Sequence, residues 1–318
     1  MLMLSVIISI AAVVAKEAGM PNDLSSNIEG FGPSKFDSLL SPSIPMSDLK
    51  GYANDHNHKR DHKGFGNLSI ISFNMESATD SSRDGLQDFV LGLLDSSHPS
   101  VMTLQSIRKK EIDALSTKLL GHYGILNDDQ GSINVLESPK LYLPIIYDTQ
   151  HVRKISNGYY RNPEQSKIIY ASWAVFETLA TKQWFTVINL DLYNAYEEKI
   201  DVKMANILRD IHVDPTISAR PVFYMGRINV ASDRLKQVIE NNYINPLDKD
   251  INSKNEERFT MINPSDIQTD HQRDYILISE KKQNDPNAIH NVKTIHYARI
   301  LRLGIPGLNY PIHTIVSL

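Results

Sequence analysis

From position 68 to the C-terminus, short apolar runs alternate with segments whose apolar residues recur every three or four positions. Runs rich in Val, Ile, Phe and Tyr and bounded by Gly, Pro, Asn or Asp predict strands, and the three-to-four spacing predicts helices with one apolar face. Strands are expected at 68–74 and 101–105, with a helix over 82–94 that aligns Leu86, Phe89, Val90, Leu93 and Leu94. A helix over 111–119 aligns Ile112, Leu115 and Leu119. Further strands are expected at 141–147, 168–179, 184–192, 222–225, 275–279, 292–301 and 313–316, with helices at 197–211 and 232–241. The neighbours 168–179 and 184–192 suit a hairpin. The Tyr159-Tyr160 pair after Asn157-Gly158 also fits a hairpin better than a base-stacking platform. Hairpins mixed with helical connections predict sheets covered by helices rather than a purely parallel doubly wound sheet.

The first 67 residues follow another pattern. Leu2 to Ala15 is an uncharged apolar run followed by Lys16. About 14 residues is too short to span a bilayer, which takes roughly 20, and suits the apolar region of a signal peptide. Val13 and Ala15 at the −3 and −1 positions fit cleavage after Ala15, although the run lacks a preceding Lys or Arg. The expectation is export, against the alternative of a buried N-terminal helix or strand. Residues 16–67 are rich in Ser, Pro, Gly, Asn and Asp and read as an extended arm, with one short helical turn at 35–40. Its His56, His58 and His62 read as solvated side chains rather than metal ligands. Asn67-Leu68-Ser69 is a glycosylation sequon at the start of an expected strand. The expected organisation is therefore a signal peptide at 1–15, an arm at 16–67 and one domain at 68–318.

Composition narrows the chemistry. The chain of 318 residues has no cysteine, which excludes disulfides, thiolate metal sites and a cysteine nucleophile. Its formal net charge of −4 gives no electrostatic footprint for nucleic acid, which usually meets a basic face. No later stretch is long and apolar enough for a transmembrane helix.

Six phrases then fall in a familiar order. Leu68-Ser69-Ile70-Ile71-Ser72-Phe73-Asn74 and Val101-Met102-Thr103-Leu104-Gln105 are followed by Trp184 through Leu192, ending Asn189-Leu190-Asp191-Leu192. Next come Gly226-Arg227-Ile228-Asn229, Arg273-Asp274-Tyr275-Ile276 and Gly307-Leu308-Asn309-Tyr310-Pro311. Together they resemble the endonuclease/exonuclease/phosphatase (DNase I-like) superfamily over 68–318. The resemblance implies a four-layer α/β/β/α sandwich with the active site at one end of two sheets. It also implies Mg²⁺ held by a Glu and neighbouring carboxylates, Asn and His donors on the phosphoryl oxygens, and an Asp/His pair that activates water.

At the matching positions this chain departs from that pattern. Ser106 stands for the metal-binding Glu, Asp191 for the His of Asn-Thr-His-Leu, and Arg227 for the Asp of Gly-Asp-Phe-Asn. Gly307, Leu308 and Asn309 stand for the closing Ser-Asp-His. Asn74, Asn229 and Asp274 match it. A guanidinium is always charged and offers no lone pair to a metal, so no metal and no catalysis by the family mechanism are expected. The expected function is binding by an exported, catalytically degenerate domain, with a protein or a phosphate-containing ligand as partner. Arg227, Asn74 and Asn229 are candidate anion donors. The alternative is a Mg²⁺-dependent phosphodiesterase, nuclease or phosphatase rebuilt from Asp191, Asp270, His271 and Asp274. Thr269-Asp270-His271 precedes the Asp274 strand and reads as a loop. His313 reads as a residue packed on a strand rather than a replacement base, and Asp191 as an ion-pair partner for Arg227.

Overall fold

The computed structural model describes residues 66–75, 83, 85–119, 121–127, 140–161, 169–192, 220–228, 243–249, 274–279, 292, 294–301 and 311–318. All of them fall within one compact unit. Fourteen strands run through them: β1 (Asn67–Asn74), β2 (Val101–Gln105), β3 (Ile107–Arg108), β4 (Tyr123–Leu126), β5 (Leu141–Tyr142), β6 (Ile145–Asp148) and β7 (Val152–Arg161). The rest are β8 (Ile169–Thr178), β9 (Trp184–Asp191), β10 (Val222–Arg227), β11 (Tyr243–Ile244), β12 (Asp274–Ser279), β13 (Thr294–Ile300) and β14 (Ile312–Ser317). Helices are α1 (Leu86–Ser97), α2 (Lys109–Lys118) and the single turn α3 (Pro246–Lys249).

Twelve strands make two six-stranded sheets, ordered β13-β14-β1-β2-β6-β4 and β11-β12-β10-β9-β8-β7, while β3 and β5 pair separately. In each sheet the two central strands are parallel, β1 with β2 and β9 with β10, and antiparallel strands flank them. The period-2 alternation of each strand decides which residues meet between the sheets. Leu68, Ile70 and Val101 of the first sheet pack there against Phe176, Phe185, Val187, Phe223, Met225, Ile276 and Ile278 of the second. The opposite face of the first sheet buries Ile71, Phe73, Met102 and Leu104 under α1 and α2. Phe73 and Phe89 meet edge to face with centroids 5.4 Å apart, a favoured aromatic geometry. This is the mixed α/β, DNase I-like arrangement.

The residues expected on the buried face of the first helix, Leu86, Phe89, Val90, Leu93 and Leu94, are the ones that α1 buries. The hairpin of β8 and β9 is present, and Tyr159 and Tyr160 lie in a second hairpin opposite Ser172 and Ala171. The expected strand at 141–147 is instead two strands, which part at Leu143-Pro144 and join different sheets. Proline has no N–H for a ladder, and here the Pro144 carbonyl accepts from the Leu104 N–H at 3.2 Å. The pattern marked β7 only through the hairpin expected at Tyr159-Tyr160; its Arg153, Lys154 and Asn157 are exposed, and it pairs along β8. The signal segment at 1–15, nearly all of the arm, and the helices expected at 197–211 and 232–241 lie outside the described residues. Asn67 of the sequon sits in β1, where its Oδ1 accepts from the Ser317 hydroxyl at 2.8 Å.

Candidate functional site at the polar end of the two sheets

Along each central strand the residues facing the other sheet change from apolar to polar toward one common end. In β1 they read Leu68, Ile70, Ser72, Asn74, and in β2 Val101, Thr103, Gln105. In β9 they read Phe185, Val187, Asn189, Asp191, and in β10 Phe223, Met225, Arg227. β12 runs the other way and begins at this end with Asp274 before Ile276 and Ile278. Asn74, Gln105, Ser106, Asn189, Asp191, Arg227 and Asp274 are all buried. Buried polar groups are tolerated when they are hydrogen-bonded, and two sets of contacts link these side chains.

The inner set ties the sheets together. Gln105 Nε2 donates to Asn189 Oδ1 at 2.7 Å and to Thr103 Oγ1 at 3.0 Å. Asn189 Nδ2 in turn donates to the carbonyls of Leu104 and Pro144, each at 2.9 Å. Gly226 makes room for this bridge. Its φ is +123°, and a Cβ there would lie 2.2 Å from the Leu190 carbonyl oxygen and 3.0 Å from Gln105 Nε2.

The outer set carries the charge. Arg227 is the register partner of Asp191 on β9 and of Asp274 on β12. Directly opposed residues share a face, so Arg227 stands between Asp191 and Asp274 in a row across three strands. Each carboxylate also takes a donor from the first sheet. Ser106 Oγ donates to Asp191 Oδ2 at 2.7 Å, and Asn74 Nδ2 donates to Asp274 Oδ1 at 2.9 Å. Ser106 reaches Asp191 from a left-handed backbone, φ +57°, a conformation uncommon in residues other than glycine.

Behind the site lies a clamp that the sequence did not reveal. Arg83 and Glu111 are both buried, and Nη1 of Arg83 meets the two Glu111 oxygens at 3.2 and 3.0 Å. Nη2 of Arg83 donates to the Met75 carbonyl at 3.1 Å and, at 3.5 Å, reaches that of Ser106. Glu111 Oε2 also accepts the Arg108 N–H at 2.8 Å, capping the start of α2. The pair therefore fixes the chain just after β1 and just after β2, where Asn74 and Ser106 sit.

Of the sequence-predicted positions, Asn74, Ser106, Asp191, Arg227 and Asp274 come together here. Asn229, Asp270, His271, Leu308 and Asn309 lie outside the described residues. His313 packs on β14, its Nε2 2.9 Å from Ser69 Oγ. That contact lies on the face of the first sheet opposite the site. The oxygens at this end do not suit Mg²⁺, a hard cation that takes about six oxygen ligands. Arg227, which offers no lone pair to a metal, stands in register between the two aspartates, and the Ser106 hydroxyl is directed at Asp191. Among the described residues, no three of His, Cys, Asp and Glu group in a way that could hold a metal ion.

No family model matches the chain. An uncharacterized protein of Encephalitozoon cuniculi is 52% identical over 294 residues, covering 92% of each chain. Solved structures of similar fold include an endonuclease/exonuclease/phosphatase from Bacteroides vulgatus, with TM-score 0.61 and 16% identity over 79% of this chain and 99% of its own. A humanized D. rerio TDP2 aligns with TM-score 0.60 and 15% identity over 79% and 99%. The mannosyl-6-phosphatase Bt3783 of Bacteroides thetaiotaomicron aligns with TM-score 0.58 and 12% identity over 79% and 100%. The chain belongs to one family with its Encephalitozoon cuniculi relative, and that family carries the DNase I-like fold of the endonuclease/exonuclease/phosphatase superfamily.

Proposed function

We propose that this is an exported DNase I-like domain that has given up metal-dependent hydrolysis and works by binding. The observation that carries the reading is the placement of Arg227 in register between Asp191 and Asp274, with a serine at position 106. Hydrolysis of a phosphate ester needs positive charge on the phosphoryl oxygens and a base for water. The charged residue in register between the two aspartates is an arginine, which neither ligates a metal nor serves as a base. No histidine stands among the described residues of the site. Loss of a single general base commonly costs a factor of about 10² to 10⁴ in rate, and here the metal ligands change with it. Export rests on the apolar segment from Leu2 to Ala15, and N-terminal sequencing of protein recovered outside expressing cells tests it. No helix among the described residues is long and apolar enough to cross a membrane.

A phosphate-containing ligand is the narrower form of this reading, with Arg227 as its anchor. Asn74 already gives an N–H to Asp274, so Arg227 supplies the charge. Titration with inorganic phosphate, followed through the Arg227 side-chain NMR signals, separates the two kinds of partner. Shifted signals favour the phosphate ligand, and unmoved signals favour a protein partner. The competing reading is a hydrolase with a rebuilt site, favoured by the company of the fold, which includes a mannosyl-6-phosphatase and a D. rerio TDP2 complexed with a single-strand DNA product. Turnover of a generic phosphodiester or phosphomonoester, stimulated by Mg²⁺ or Mn²⁺, decides for it.

A further inference from the structure

A side-chain amide buried between two sheets has two N–H donors and one oxygen to satisfy, and an oxygen left unmet there is costly. Gln105 is such a group and is wholly buried. Asn189 fixes which arm of its amide is which. Asn189 Nδ2 donates to the carbonyls of Leu104 and Pro144, which only accept. Asn189 Oδ1 is therefore an acceptor, and the Gln105 atom 2.7 Å from it is the donating nitrogen. The second N–H of that nitrogen meets Thr103 Oγ1 at 3.0 Å. The other arm, Gln105 Oε1, takes no hydrogen bond from the described residues.

A donor beside it is left over as well. The hydroxyls of Thr103 and Ser72 lie 3.4 Å apart, and one hydrogen bond joins them. Whichever way the pair turns, the second hydroxyl hydrogen has no acceptor among the described residues. Both side chains are buried, and one step deeper the facing surfaces become apolar with Ile70, Val101, Val187 and Met225. An ion answers either a spare acceptor or a spare donor, whereas a water molecule answers both. Two hydrogen bonds of about 2.8 Å span partners up to about 5.6 Å apart, and Ser72 Oγ lies 3.4 Å from the nitrogen arm of the same amide. We infer that the bridge between the sheets contains a binding site for a single buried water, which donates to Gln105 Oε1 and accepts from the Ser72–Thr103 hydroxyl pair. The site is uncharged and stands apart from the row of Asp191, Arg227 and Asp274. It is independent of what the domain binds and of whether it hydrolyses anything.

The test joins a crystal structure of the full chain that resolves ordered waters with magnetic relaxation dispersion of solvent deuterons, which counts long-lived internal waters in solution. The parent is expected to show a water within hydrogen-bond distance of both Gln105 Oε1 and one hydroxyl of the Ser72–Thr103 pair. Ser72→Val puts methyl groups where the hydroxyl stood and suits a strand. That variant is expected to lose the water from the crystal and to lower the dispersion amplitude by one water. No density at Gln105 Oε1 in the parent overturns the inference, as does density with the contacts of an ion. A dispersion amplitude equal in parent and variant overturns it too. Should Ser72→Val not fold, the parent crystal decides alone.

Discussion

Replacing Arg83 by Met probes the clamp behind the site. The substitution keeps the aliphatic stem and removes a guanidinium that makes two bonds to Glu111 and reaches two carbonyls. Both side chains are almost wholly buried, at 5% and 2% exposure, so solvent screens the lost interaction little. Glu111 would keep only the Arg108 N–H at 2.8 Å. Breaking one half of a buried pair costs about 3–5 kcal/mol, because the remaining charge stays buried without its partner. For a domain of this size that lowers the melting temperature by roughly 10 °C. Adding Glu111→Gln removes the stranded charge and returns most of the loss. The carbonyls of Met75 and Ser106 remain without their donor, which keeps the double variant about 1–3 kcal/mol below the parent. Urea denaturation followed by far-UV circular dichroism measures all three proteins. A single variant within about 1 kcal/mol of the parent would refute the reasoning, as would a double variant no better than the single one.

Other positions give sharper local tests. Gly226→Ala forces a Cβ to within 2.2 Å of the Leu190 carbonyl oxygen at φ +123°, so expression of folded protein should fall steeply, and unaltered melting would contradict that geometry. Ser106→Ala leaves the buried Asp191 without its 2.7 Å hydroxyl donor and should cost about 1–3 kcal/mol in urea denaturation. Ser106→Gly should cost less, since glycine adopts φ +57° without strain. Burial, then the carboxylates of Asp148 and Asp95, push the Tyr123 phenol well above its ordinary range. A raised folded pKa contributes stability below the unfolded value of about 10 that is lost as pH climbs past it. Tyr123→Phe should therefore flatten the alkaline loss of stability above about pH 10, and an unchanged slope would assign that loss to other groups.

Much of the fold was legible because the strands follow simple rules. The β1, β2, β9, β10 and β12 segments announce themselves as β-branched and aromatic runs, and α1 by a five-residue apolar stripe. The polar end of the sandwich was legible too. Once the strands are aligned, Asn74, Gln105, Asp191, Arg227 and Asp274 all fall at the same end of the inner face. What escaped depends on partners distant in sequence. Arg83 and Glu111 look like ordinary charged residues at helix starts, and only tertiary packing buries them together. The split at Pro144 is set by which neighbour each half finds, β3 or β2. The exposed polar residues of β7 carry no alternation, and pairing along β8 together with the buried Val152 gives that strand its place. Gln105 and Asn189 stood inside recognised phrases, yet their amide bridge between sheets follows only from the facing of β2 and β9.

The most direct measurement combines melting of the purified mature protein with and without Mg²⁺, Mn²⁺ or Ca²⁺ with a generic phosphodiesterase assay on the same sample. The expected result is one melting temperature in every condition and no turnover above the buffer. A clear metal-dependent rise with turnover, abolished by Asp191→Ala or Asp274→Ala, would contradict the binding reading and make the domain a metal-dependent hydrolase.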